Sequence, residues 1–199
     1  MFSFFSKKPK FKRLDDKVYV ERSAADRAVI ADALRSRSEM KEVFILYYFN
    51  STLDRLQAIE GVSGSNLVKA EKLLNDIATR NPLRTKNSPV FLFAEHFPDW
   101  KHEHSIMLEI EQLCEGKGPS IGFYAGLDEP MMRLFGAERI ISLVKRMGLK
   151  EDEAISHGMV TQSIERAQKK ISEKVPSPVS AHSQEEWVKI NLPDLHKTG

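Results

Sequence analysis

Cysteine is almost absent from this chain: Cys114 stands alone among 199 residues. A single thiol excludes an internal disulfide and fits a reducing compartment. No apolar run approaches the roughly 18 residues that a bilayer-spanning helix requires. Glycine is thin, and none lies between Gly64 and Gly116. The P-loop spacing G-x-x-x-x-G-K-[ST] occurs nowhere, and Gly116-Lys117-Gly118 reads as a lysine in a turn. An excess of either charge is missing too. Thirty basic against 28 acidic residues leave +2, too balanced to imply nucleic acid, and no basic stripe with aromatic platforms forms beyond the N-terminal arm. No internal repeat of roughly 20–50 residues is found.

With 41% hydrophobic and 29% charged residues, the chain has the make-up of one globular domain with a sizeable core. Val43–Phe49 is unbroken in apolarity and rich in strand formers, as expected of a strand buried on both faces of a parallel sheet. Pro89–Ala94 and Ile121–Ala125 read the same way, and Lys17–Val20 as a short strand or extended arm. Ser23, with Asp26 three residues on, predicts a capped helix over about Ala24–Arg37. Asn50-Ser51 with Asp54 predicts another helix start. Asn66–Thr79 reads as a helix after the turn Gly61–Gly64. Ala137, Ile140, Ile141, Val144 and Met147 make one helical stripe ended by Gly148. A last long helix is expected from about Thr161 through Ile171.

The wording between Ser120 and Ile171 goes further. FYAGLDEPMMRLFGAERI, followed by RMGLKEDEAISHGMVTQSIERAQKKI, resembles the end of the second nucleotide-binding domain of SecA, the ATPase motor of bacterial preprotein translocation. DKVYVERSAADRAVIADAL, earlier in the chain, is similar to the family's segment in which DxVY precedes FRAVVEEI. The resemblance implies an α/β fold: a reduced RecA-like three-layer sandwich with a mostly parallel sheet of about four strands and C-terminal helices. It implies a degenerate nucleotide-binding domain over 15–174, and composition sets a basic arm over 1–14 before it and a linker with a docking or fold-back tail over 175–199 after it. Counted from the shared FY without gaps, the family's arginines in QLRGRSGRQGDPG fall on Glu109, Glu111 and Cys114. Two inversions of charge and one loss remove what would stabilise phosphate charge. The resemblance therefore implies a stand-alone, non-catalytic module that is not an enzyme, holds no cofactor and contacts a protein partner, with the translocation machinery as a candidate. The alternative is a nucleotide-binding component of an ATPase completed in trans by another chain.

Two segments are candidate contact sites. In the first 13 residues Phe4 and Phe5 stand beside Lys7 and Lys8 with no acid among them. This is either a weak anchor to anionic lipid, giving a cytoplasmic protein peripheral membrane contact, or a disordered basic tail whose phenylalanines partly pack on the domain. Val175–Ser180 is a Pro/Ser linker, and Ser183 with Glu186 caps a short helix carrying Trp187 and Ile190. That helix either docks in a partner's groove or folds back on its own sheet. The cluster His96–His104 has no zinc spacing and reads as solvated loop or helix-start residues. Asp128-Glu129 mimics a magnesium pair but lacks a P-loop to share the ion, so no metal is expected. Cys114 has no base beside it and no role as a nucleophile.

Overall fold

The computed structural model describes residues 10–59, 67–73, 88–114, 117–146, 148, 150 and 152–194. The long apolar runs become neighbouring strands. β1 (Lys12–Arg13) and β2 (Lys17–Tyr19) follow one another along one edge of β6 (Ser120–Gly126). Beyond β6 come β5 (Val90–Phe93), β3 (Val43–Tyr47) and β4 (Leu67–Lys69), and all these pairings are parallel.

The alternation of side chains explains the layers. Phe44 and Leu46 of β3 share one face with Phe91, Phe93 and Phe123, beneath α3 (Trp100–Leu113) and α6 (Gly158–Lys174). Val43 and Ile45 join Val90, Leu92 and Tyr124 on the other face, under α1 (Arg22–Ser38) and Leu56 of α2 (Asn50–Gln57). A strand so covered on both sides has no polar face, which is why β3 is buried at every position. On the first face a row of rings crosses the strands, with Phe93 and Phe123 stacked at 4.3 Å and Phe44 and Phe91 at 5.2 Å. Three short helices complete the described chain: α4 (Pro130–Arg133), α5 (Ala137–Arg146) and α7 (Gln184–Asn191). This α/β arrangement is consistent with a RecA-like sandwich.

Several expectations change. Among the described residues the sheet has six strands rather than about four, because β4 and the split edge β1/β2 join it. Leu67–Lys69 is strand and Ala70–Lys72 a 3-10 turn, where a helix was expected from Asn66; the remainder of that expected helix lies outside the described residues. Ser23 does not cap α1: the helix begins two residues earlier than expected, and its Arg22 N–H donates to Asp128 Oδ1 at 2.7 Å. A carboxylate brought from β6's far end thus does the capping.

The edge carries a bulge. Arg13 pairs with Ile121 and Lys17 with Tyr124, so Leu14, Asp15 and Asp16 oppose only Gly122 and Phe123. The extra residue turns Asp16 inward until it is completely buried.

Candidate functional site

After β3 the chain adds β4 on one side and then returns to place β5 on the other. In open α/β sheets, such a reversal opens a crevice beyond the carboxyl ends of the two strands, where ligands bind. Here the crevice is filled by the protein itself. The turn from β3 into α2 presents the backbone N–H groups of Tyr48 and Phe49 at the position an anion would take. Glu95, two residues beyond β5, occupies that position: Oε1 accepts from the N–H groups of Tyr48 and Phe49 at 2.9 and 3.0 Å, and Oε2 from the Thr52 hydroxyl at 2.6 Å. Burial pushes the Glu95 carboxyl up from its usual range, against the opposing pull of Arg22 and of these hydrogen bonds.

Arg22 is the counter-charge. Its guanidinium meets Asp26 at 2.7 Å and Glu129 at 2.5 Å, and also donates to the Ala94 carbonyl. Glu129 further accepts from the Gly126 N–H at 2.6 Å and the Gln184 amide at 3.2 Å. Asp128 and Glu129 are therefore committed to protein donors, one on the start of α1 and the other on Arg22. A cavity of about 270 Å³ remains between Arg22, Arg55, Glu95, Asp128, Glu129 and Gln184.

The tail closes the crevice. Ser183 caps α7 through the Glu186 N–H, as the sequence suggested. Gln184 donates to the His96 carbonyl at 3.1 Å and accepts from the Met131 N–H at 3.0 Å. Trp187 is completely buried, edge-on to Phe97 at 5.7 Å, so of the two readings the fold-back is the observed one. Trp187 was a candidate partner contact, and its burial withdraws it from any partner in this conformation. Ile190, on the outer face, stays exposed. Phe4, Phe5, Lys7 and Lys8 lie outside the described residues.

The histidine cluster is also different from its expectation. His96, Asp99 and Glu103 are buried rather than solvated. Asp99 caps α3, accepting from the Lys101 and His102 N–H groups. Glu103 reaches back to His96 Nδ1 at 3.1 Å, and Asp16 Oδ2 faces Nε2 at 3.4 Å. Burial opposes an imidazolium here, but the Glu103 and Asp16 carboxylates outweigh it and push the His96 pKa up to about 10. No group of three or more acidic, histidine or cysteine side chains among the described residues is arranged to hold a metal ion. Glu109, Glu111 and Cys114 lie on the second half of α3 and at its end, by the amino-terminal edge of the sheet and away from the crevice. Burial raises the Cys114 thiol to about 11, which keeps it protonated.

The residues that sequence reasoning missed are Glu95, Arg22 and Gln184. Only position hinted at them: Glu95 stands two residues beyond a buried strand, where such folds place their ligand contacts.

No protein-family model matches the chain. Curated relatives match part of it. Protein translocase subunit SecA 1 of Alkaliphilus metalliredigens (strain QYMF) is 51% identical over 57 residues, 29% of this chain and 6% of that protein. SecA of Christiangramia forsetii (strain DSM 17595 / CGMCC 1.15422 / KT0803) is 54% identical over 59 residues, 30% of this chain and 5% of that protein. SecA of Prosthecochloris aestuarii (strain DSM 271 / SK 413) is 56% identical over 57 residues, with 29% and 5% covered. The matched stretch is thus a small fraction of those proteins' length. Identity near one half over that stretch, on an α/β sheet of the expected kind, shows that the chain carries a SecA-like domain.

Proposed function

We propose that the chain is a non-catalytic, SecA-related binding or adaptor module with a role linked to protein translocation. One observation carries the reading: Glu95 already takes the backbone donors of Tyr48 and Phe49, in the turn leading into α2, where a phosphate would bind. An anion entering there must displace a buried carboxylate and meet Glu129 and Asp128 beside it. The missing P-loop, and acids at two positions where the related motors carry arginines, support the same conclusion. The partner is a protein, the translocation machinery being the first candidate by likeness. No described helix is long and apolar enough to cross a membrane; lipid contact in this reading comes from Phe4, Phe5, Lys7 and Lys8.

The test is calorimetric titration of the purified protein with ATP and with ADP in the presence of magnesium. No heat is expected. Binding tighter than about 100 µM, about −5.5 kcal/mol, would turn the assignment to the alternative, a nucleotide-binding component of an ATPase completed by another chain.

A further inference from the structure

Helix α7 is short, and the linker before it is exposed from Pro176 to Ser180. Yet it buries Gln184, Trp187, Val188 and Leu192, at positions i, i+3, i+4 and i+8, on one face. Its other side, with Glu185, Glu186, Lys189 and Ile190, faces solvent. The groove it fills is made by Tyr48-Phe49 after β3, by His96-Phe97 after β5 and by Met131 of α4. That is the carboxyl-end crevice, the position in this class of sheet where a separate ligand is ordinarily held.

The fit is incomplete in one respect. Among the described residues, Trp187 Nε1, Tyr48 Oη and His102 Nε2 are buried without a hydrogen-bond partner, and Glu71 Oε1 stands 3.7 Å from His102 Nε2, beyond hydrogen-bond distance. The three side chains line one cavity of about 310 Å³ under the linker residues Pro178–Ala181, with Lys69, Glu71 and Lys72 also in its wall. A buried donor with no partner destabilises the contact that buries it. The helix is therefore held by apolar area, by Gln184 and by the His182 carbonyl just ahead of it, which accepts from the Ser51 N–H at 3.2 Å, and is opposed by the polar atoms along the same seam. An occupant that kept the aromatic anchor and brought a hydrogen-bonding group to Tyr48 and His102 would bind better than α7 does.

We infer that this groove is a helix-docking site for a protein partner, occupied in cis by the chain's own α7 until an amphipathic helix from that partner displaces it. The inference rests on the binding-module reading and deepens it. The recognised pattern is the one α7 displays: a glutamine-like side chain, an aromatic residue three positions on, and apolar residues four and eight positions on. The partner's helix adds a polar side chain near the aromatic one. The linker, rich in proline and serine, lets α7 swing away without unfolding α6.

The test uses the full chain and a fluorescent peptide copying Ser180–Pro193. Gln184→Ala removes three hydrogen bonds from the latch and leaves the sheet intact. The peptide should bind the Gln184→Ala protein at least about tenfold more tightly than the unmodified protein, by the loss of roughly 1.4 kcal/mol of cis closure. A peptide with Trp187→Ala should bind neither. In the unmodified protein, hydrogen exchange of the α7 amides should run well ahead of exchange in β5 and β6, and saturating peptide should speed α7 alone. Exchange in α7 as slow as in β5 would overturn the inference, as would a peptide that Gln184→Ala does not capture or that binds regardless of its tryptophan. The nucleotide titration reports separately on the module reading. Failure of the peptide with silent nucleotide removes the cis occupant and leaves the module, whereas nucleotide binding beside peptide capture removes the non-catalytic assignment and leaves the groove.

Discussion

His96 Nε2 lies 3.4 Å from Asp16 Oδ2, joining the loop after β5 to the bulge of the edge strands. Its other nitrogen meets Glu103 of α3, and its ring lies flat on Phe123 of β6 at 4.6 Å. One imidazolium thus ties three elements together, with Arg13 as a second cation on Asp16 at 2.5 Å.

The sign of its pH dependence follows from the directions of the shifts. His96 is raised from 6.5 to about 10 on folding, so its contribution is complete below about 6.5 and is lost as pH climbs toward 10. Burial alone would raise Asp16, but His96 and Arg13 hold it below 3.8, so its contribution is lost as pH falls through that lowered value. Urea unfolding should show stability declining steadily from about pH 6.5 to 9.5. His96→Gln should flatten that decline and cost about 3–5 kcal/mol at neutral pH, because it leaves two buried carboxylates facing a neutral amide. A flat profile in the unmodified protein would mean that the imidazole folds uncharged.

Removing the carboxylate from Glu95 tests whether the crevice is self-occupied. Glu95→Ala leaves the N–H groups of Tyr48 and Phe49, the Thr52 hydroxyl and part of Arg22's counter-charge unsatisfied, a loss of about 2–4 kcal/mol. The vacated position resembles an anion site at a helix start. Millimolar phosphate or sulfate should therefore raise the Tm of Glu95→Ala and leave that of the unmodified protein unchanged. If both respond equally, the anion binds elsewhere.

Gly126 is a position of close approach. A Cβ there would come within 2.4 Å of Asp128 Oδ1 and 2.5 Å of the Arg22 backbone nitrogen. Gly126→Ala should displace the start of α1 and cost at least about 2 kcal/mol by overpacking, read as a lowered urea midpoint. A midpoint within error of the unmodified protein's would show that the Asp128 cap is dispensable.

The parts of the fold that were legible in sequence are those whose reason is local. Val43–Tyr47, Val90–Phe93 and Ile121–Ala125 announce themselves because both their faces are covered, leaving no polar alternation to blur the signal. β4 was hidden because three residues, Leu67–Lys69, open a run whose spacing also suits a helix. Ser23 offered a local cap, but Asp128, more than a hundred residues later, took the helix start instead. The same kind of long-range pairing concealed the site. His96 and Glu103 look like solvated polar residues until β6 brings Phe123 beneath His96 and the edge bulge brings Asp16 against it. Nothing within a window of neighbouring residues encodes those contacts.

Trp187 and Ile190 stand three positions apart on α7 and should respond oppositely to truncation. Ile190 is 44% exposed, so Ile190→Ala should change stability by no more than about 0.5 kcal/mol. Trp187 is 0% exposed, and truncating an equally buried aromatic in a rigid core costs about 3–5 kcal/mol. If α7 is a separable occupant, that full loss cannot appear, because Trp187→Ala can forfeit no more than the free energy holding the helix down. The urea midpoint should then fall modestly while the slope of the transition also falls, since the opened crevice already exposes apolar surface in the folded state. A full loss at unchanged slope would instead make α7 part of the cooperative core, and the groove beneath it closed to any partner.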